Sequence, residues 1–238
     1  MTEPLQPPSQ TRPADWAAHA VPFIAWLALM LLPGSPSGLT YTLRAAIGLA
    51  LFLVLRPWRG YPALRLRNLP LAAVVGAAVC LVWIAPECPC LGARWPAWRD
   101  LYLKYAVLPW GKIPETPSPA PFAPETCGWT FSVIRLLGSA FVISFIEEFF
   151  WRGFVYRWII TKDFRSVDLG RFVLTAFLLT AVLFGVEHDR WLVGILAGLA
   201  YGAMAILTRD LWAVGIAHAI TNFLLGLYVL ATGHHAFW

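Results

Sequence analysis

Seven long apolar stretches fill most of this chain, and they leave it few places to fold other than a lipid bilayer. A helix crosses the hydrocarbon core with about 20 mostly apolar residues. Residues 16–32, 39–55, 69–85, 129–160, 171–187, 191–208 and 211–231 meet or approach that length. Backbone in lipid must satisfy its own hydrogen bonds, which selects helices here. The expected fold is therefore all-α, a polytopic transmembrane helix bundle of about seven spans, with six to eight as the range. Composition agrees: 59% of residues are hydrophobic and only 13% are charged, too apolar for a soluble domain of this size. The 13 tryptophans suit helices anchored at lipid headgroups.

The organisation follows from what interrupts these stretches. A polar tail (1–15) precedes three accessory helices (16–85), an extramembrane cap (86–128) and a helical core (129–238). The cap is rich in Pro, carries Cys88, Cys90 and Cys127, and has room for one short amphipathic helix near residues 95–105. A bridge from Cys127 to Cys88 or Cys90 is one expectation for it, free thiols the other. The stretch 129–160 is too long for one straight span, and Gly138-Ser139 is where a bend is expected.

Charge sets the orientation. The formal net charge is +5, spread among loops, with no basic run interleaved with aromatics of the kind that binds nucleic acid. Its expected partner is the bilayer, through anionic lipid. Nine Lys or Arg fall on one side (Arg12, Arg56, Arg59, Arg65, Arg67, Lys162, Arg165, Arg171, Arg209) and five on the other (Arg94, Arg99, Lys104, Lys112, Arg190). Positive-inside bias then puts the amino terminus in the cytoplasm and the carboxyl terminus and cap outside.

Ionisable groups at membrane depth cost about 2.5 kcal/mol or more each, so the few present carry information. Glu147, Glu148 and Arg152 sit in Phe-Ile-Glu-Glu-Phe-Phe-Trp-Arg-Gly. Glu148 and Arg152 are four apart in the favourable order and can pair. Glu147 points about 100° away and is left over, needing another partner or a proton. Arg44 and Arg135 are read as snorkelling to an interface. His188 ends the fifth stretch, and His218 and Asn222 lie one turn apart in the seventh. Each alone is read as an inter-helix hydrogen-bonding group. A bundle that hides all of them from lipid turns them toward one another. Gly194, Gly198 and Gly202 form a small-residue stripe for close helix packing.

These residues resemble the CAAX protease and bacteriocin-processing family, which includes the Ras-converting CAAX endopeptidases. Its pattern of Glu-Glu-x3-Arg, Phe-x3-His and His-x3-Asn reads here as Glu147-Glu148…Arg152, Phe184…His188 and His218…Asn222, over roughly residues 129–230. Phe-Trp-Arg-Gly, Glu-His-Asp-Arg-Trp and Ala-His-Ala-Ile-Thr-Asn-Phe-Leu-Leu-Gly are similar to a bacterial branch associated with exosortase protein-sorting systems. The resemblance implies a glutamate-dependent intramembrane endopeptidase without cofactor or metal, acting on a membrane-associated peptide or protein, with such a sorting system as a partner. It implies water activated by Glu147 and His188, an oxyanion site from His218 and Asn222, and Arg152 fixing Glu148, which orients the site or protonates the leaving amine.

Three other readings stay open. The same residues can ligate zinc, although no His-Glu-x2-His motif is present. The fold can serve as a non-proteolytic scaffold or chaperone. A proton-coupled transporter is the third, without the inverted repeats such proteins show. The expected position of the site is a water-filled cavity reached from the cap side. Ras-converting relatives, which act on cytosolic tails, point to the opposite face.

Overall fold

The computed structural model describes residues 13–32, 34, 36–115 and 118–238. The amino-terminal tail up to Arg12 lies outside them. The described secondary structure is helical: α1 (Pro13–Met30), α2 (Gly38–Leu55), α3 (Leu69–Ile84), α4 (Pro89–Arg94), α5 (Pro96–Tyr105), α6 (Pro124–Cys127), α7 (Trp129–Ile160), α8 (Leu174–Val186), α9 (Trp191–Thr208) and α10 (Leu211–Thr232). Among the described residues, five helices are long and apolar enough to cross a membrane, and the shorter apolar helices Asp15–Met30 and Leu174–Val186 bring the apolar helices to seven. The chain is an integral membrane helix bundle.

Two boundaries differ from the sequence expectation. α8 starts at Leu174 rather than Arg171, because Val173 is extended and ends the preceding loop. α7 does not break at Gly138-Ser139. Instead Ser139–Ile143 and Trp151–Val155 are π-helical, so the helix stays continuous while its pitch loosens twice. The Ser144 hydroxyl donates to the Ser139 carbonyl (3.1 Å) and reaches that of Ala140 as well, covering oxygens in the first π turn.

Small residues decide which helices touch. A Cβ added at Gly76 of α3 would come within 2.5 Å of the Ala217 carbonyl on α10. Similar substitutions at Gly194 and Gly198 of α9 would meet Gly185 and Ala181 of α8 at 2.9 and 3.0 Å. The glycine stripe therefore lets α9 lie backbone-to-backbone on α8. α10 packs against α3 and α7, and α1 against α2.

The loops collect on two faces. One joins Asp15 to Arg165 (3.2 Å), Arg209 to Asp168 (3.4 Å), and Arg65 N–H and Asn68 Nδ2 to the Asp210 carboxylate (2.8 and 2.9 Å). The other holds the cap, the turn after α8 and the carboxyl-terminal segment. There Arg190 pairs with Glu87 and donates to the Ala236 carbonyl (2.8 Å), Leu108 N–H donates to the Asp189 carbonyl (2.8 Å), and Trp191 Nε1 donates to the Tyr105 carbonyl (3.0 Å). The cap contains the expected amphipathic helix as α5. The expected bridge to Cys127 does not form: Cys127 is a free thiol beside the Ser132 hydroxyl (3.5 Å), while Cys88 is disulfide-bonded.

Candidate active site in the bundle

The centre of α7 carries the charged pair at one helical turn. Arg152 Nη1 donates to Glu148 Oε1 at 3.0 Å, with both side chains buried. Arg152 Nη2 donates to the Gly198 carbonyl (3.1 Å), a contact that the close packing of α9 makes possible. The guanidinium also lies 4.4 Å from the Phe184 ring centroid. Spacing alone predicts the pair; its two anchors on α8 and α9 depend on helix packing.

His218 of α10 stands between the two glutamates. Its Nδ1 lies 3.0 Å from Glu148 Oε1, and its Nε2 lies 3.7 Å from Glu147 Oε2. The second distance is too long for a hydrogen bond, and Glu147 Oε2 has no other hydrogen-bond partner. Tyr201 of α9 stacks on the imidazole at 4.8 Å and 24°. The Tyr201 hydroxyl donates to Thr221 (2.7 Å), which donates to the Gly76 carbonyl of α3 (2.8 Å). Three helices thus fix the orientation of one ring.

His188 lies two residues past the end of α8. Its Nδ1 is 2.8 Å from the Phe184 carbonyl. A carbonyl only accepts, so Nδ1 carries the proton, and Nε2 of the neutral ring is a base. The Phe184 and Trp83 rings hold it from two sides at 4.9 and 5.3 Å. Asn222 Nδ2 donates to the Ser139 carbonyl at 3.0 Å, inside the first π turn of α7. A side chain thereby takes an oxygen where the helix ladder is loosened.

Glu147, His188, His218 and Asn222 all line one cavity of about 540 Å³. Glu148 and Arg152 are not on its wall and sit behind His218. Its lining includes Pro36, Phe122, Asp189, Arg190 and the segment Ala236–Trp238, which places the cavity against the face that carries the cap. Glu187, Tyr201, Arg44 and Arg135 share the wall without having been assigned to the site from sequence. Glu187 accepts a hydrogen bond from Trp151 Nε1 (3.0 Å). Its only sequence signal was its place beside His188 at the end of an apolar stretch. Arg44 and Arg135, expected to snorkel, stand against this cavity. Among the described residues no three His, Cys, Asp or Glu side chains are arranged to hold a metal ion.

No curated protein and no solved structure matches this chain. One family model does, over less than half of the 238 residues but over the segment that carries all six candidate residues. Residues 129–224 match the Rce1-like model, described as type II CAAX prenyl endopeptidase Rce1-like.

Proposed function

We propose that the chain is an intramembrane endopeptidase that hydrolyses a peptide bond of a membrane-associated protein or peptide. The observation that carries this reading is that Glu147 and His188 present unpartnered basic atoms to the same cavity. A water held between a carboxylate and an imidazole nitrogen loses its proton to them as it attacks a carbonyl carbon. The tetrahedral intermediate then collapses with cleavage of the C–N bond, and the stored proton passes to the leaving amine.

His218 and Asn222 are the donors available to the oxyanion. Asn222 commits one amide hydrogen to Ser139 and keeps one. His218 gives its Nδ1 proton to Glu148, so it donates through Nε2 only when the ring carries a second proton. The Glu148 carboxylate supplies a counter-charge for that state, and Arg152 holds Glu148 against the ring. Glu148 and Arg152 are therefore positioning residues in this scheme. In its narrower form, carried by the resemblance alone, the substrate belongs to an exosortase-type sorting system of a bacterial inner membrane.

Comparison of membrane-protein termini in cells carrying wild-type chain and Glu147→Gln tests the reading. New amino termini present only with wild type are expected, with the variant accumulating the uncut precursor. Identical termini in both, with the biological role intact in the variant, favour a scaffold. Activity lost on chelation and restored by zinc favours the metalloprotease reading with the same residues.

A further inference from the structure

The cavity holds two cations that the hydrolytic scheme does not use. Arg44 of α2 and Arg135 of α7 both line it, and neither forms an ion pair among the described residues. Each Nε is buried without a hydrogen-bond partner. Arg44 and Arg135 are half-buried, and the three buried arginines differ from them in holding acceptors, although Arg152 also leaves its Nε unpartnered: Arg152 has Glu148 and Gly198, Arg190 has Glu87 and Ala236, and Arg157 has the carbonyls of Val167 and Arg165.

Aromatic faces hold the two guanidiniums in place. Arg135 lies 4.5 Å from the Tyr41 ring centroid and 4.8 Å from that of Phe122. Arg44 lies 5.4 Å from Trp26 and 5.8 Å from Tyr41. Tyr41, fully buried, sits against both cations and fixes them as neighbours. Two like charges sharing one ring at the edge of a low-dielectric bundle repel, and an anion between them relieves the repulsion. Two carboxylates on the same wall are directed elsewhere, Glu147 toward His218 and Glu187 toward Trp151, and Asp189, also on the wall, forms no ion pair with either arginine.

We propose that Arg44 and Arg135 form a subsite for a carboxylate of the substrate peptide. The proposal rests on the peptidase reading for the identity of the ligand. Arg135 precedes Glu147 on the same helix by about 18 Å of rise. An extended peptide at about 3.4 Å per residue covers that distance in roughly five residues. The carboxylate therefore belongs to a side chain within a few residues of the cut bond, or to a nearby free carboxyl terminus. A planar guanidinium pair suits either, since each can grip a carboxylate with two N–H donors.

The test measures retention rather than cleavage, so that it stands apart from the peptidase reading. Chain carrying Glu147→Gln is placed in nanodiscs of neutral phosphatidylcholine. It is challenged with palmitoylated, sequence-randomised octapeptides in three forms: free carboxyl terminus, amidated terminus, and amidated terminus with one Asp. Retention of one or both acidic forms at least about tenfold above the amide is expected, and which form is retained tells terminus from side chain. Adding Arg44→Gln and Arg135→Gln should level the three, while Arg44→Lys and Arg135→Lys, which keep the charge, should retain part of the preference. Equal retention of all three forms, or a preference untouched by the Gln pair, overturns the subsite. So does a Gln pair that changes only the phosphatidylglycerol carried through purification, which makes the pair a lipid contact. Selective retention by a chain whose wild type cuts nothing leaves the subsite standing and removes the peptidase.

Discussion

Two buried histidines, one on each face of the bundle, show how the same chemistry can be structural or reactive. His19 of α1 is 1% exposed and His218 of α10 is 4% exposed. Each stands beside an arginine-bearing turn of α7. At His19 the groups close on themselves: Nδ1 meets the Asp15 carbonyl (2.7 Å), and Nε2 meets the Tyr61 hydroxyl (2.9 Å). Tyr61 and Arg157 cover the Gly153 carbonyl in the second π turn of α7 at 2.8 and 3.3 Å. Burial pushes the Tyr61 phenol up to about 12, so it remains a donor at any physiological pH. At His218 the network is left open toward the cavity, with the 3.7 Å gap to Glu147 unfilled by protein. Burial and residue type do not separate the two sites. What separates them is whether a polar atom still lacks a partner once the protein has folded.

The sharpest way to break this comparison is to remove the base. Glu147→Gln keeps shape and volume, and we expect peptide hydrolysis to fall by about 10²- to 10⁴-fold, with the melting temperature held. Turnover by the purified variant at the wild-type rate would end the assignment of Glu147. Next comes Arg152→Ala, which strands the buried Glu148 carboxylate and should cost about 3–5 kcal/mol of stability. A thermal melt with no loss refutes the pairing as a source of stability.

Tyr61→Phe probes the closed network. Loss of one hydroxyl removes the group that meets both His19 Nε2 and the Gly153 carbonyl and should cost about 1–3 kcal/mol. Activity per folded molecule should stay within about twofold, as expected for a change outside the site. A selective fall in turnover without a fall in stability would make the two networks alike. The smallest perturbation is chemical labelling of the two faces. If the cap lies outside, a membrane-impermeant thiol reagent applied to intact cells should modify native Cys127 and not Ser166→Cys. The opposite pattern inverts the chain and turns the cavity toward the cytoplasm.

Much of this was legible in the sequence because lipid punishes exceptions. The seven apolar stretches fall on seven apolar helices, and Glu148 with Arg152 is readable from a spacing of four. The bridging place of His218 was not readable. It depends on the register of α10 against α7, which Gly76 and Thr221 set through contacts with α3. Arg157 was passed over for a related reason: among its partners are the carbonyls of Val167 and Arg165, which have no residue-type signature. Cys127 misled because a cysteine count says nothing of reach. The place of Arg44 and Arg135 on the cavity wall was not legible either, because snorkelling accounts for a cation near a helix end without any cavity.

The two π turns give α7 a property that a uniform helix of the same length lacks. Each acts as one surplus residue, displacing the azimuth of the downstream residues by about 100°. The helix is consequently three phases in series. Arg135 faces the mouth of the cavity, Glu147 faces its floor with Glu148 behind His218, and Arg157 faces the opposite loops. Shortening the chain by one residue within Ser139–Ile143 would leave each local sequence intact and still rotate the mouth away from the floor. Tolerance to substitution and tolerance to deletion are thus decoupled along α7, and it is length that the site can least spare.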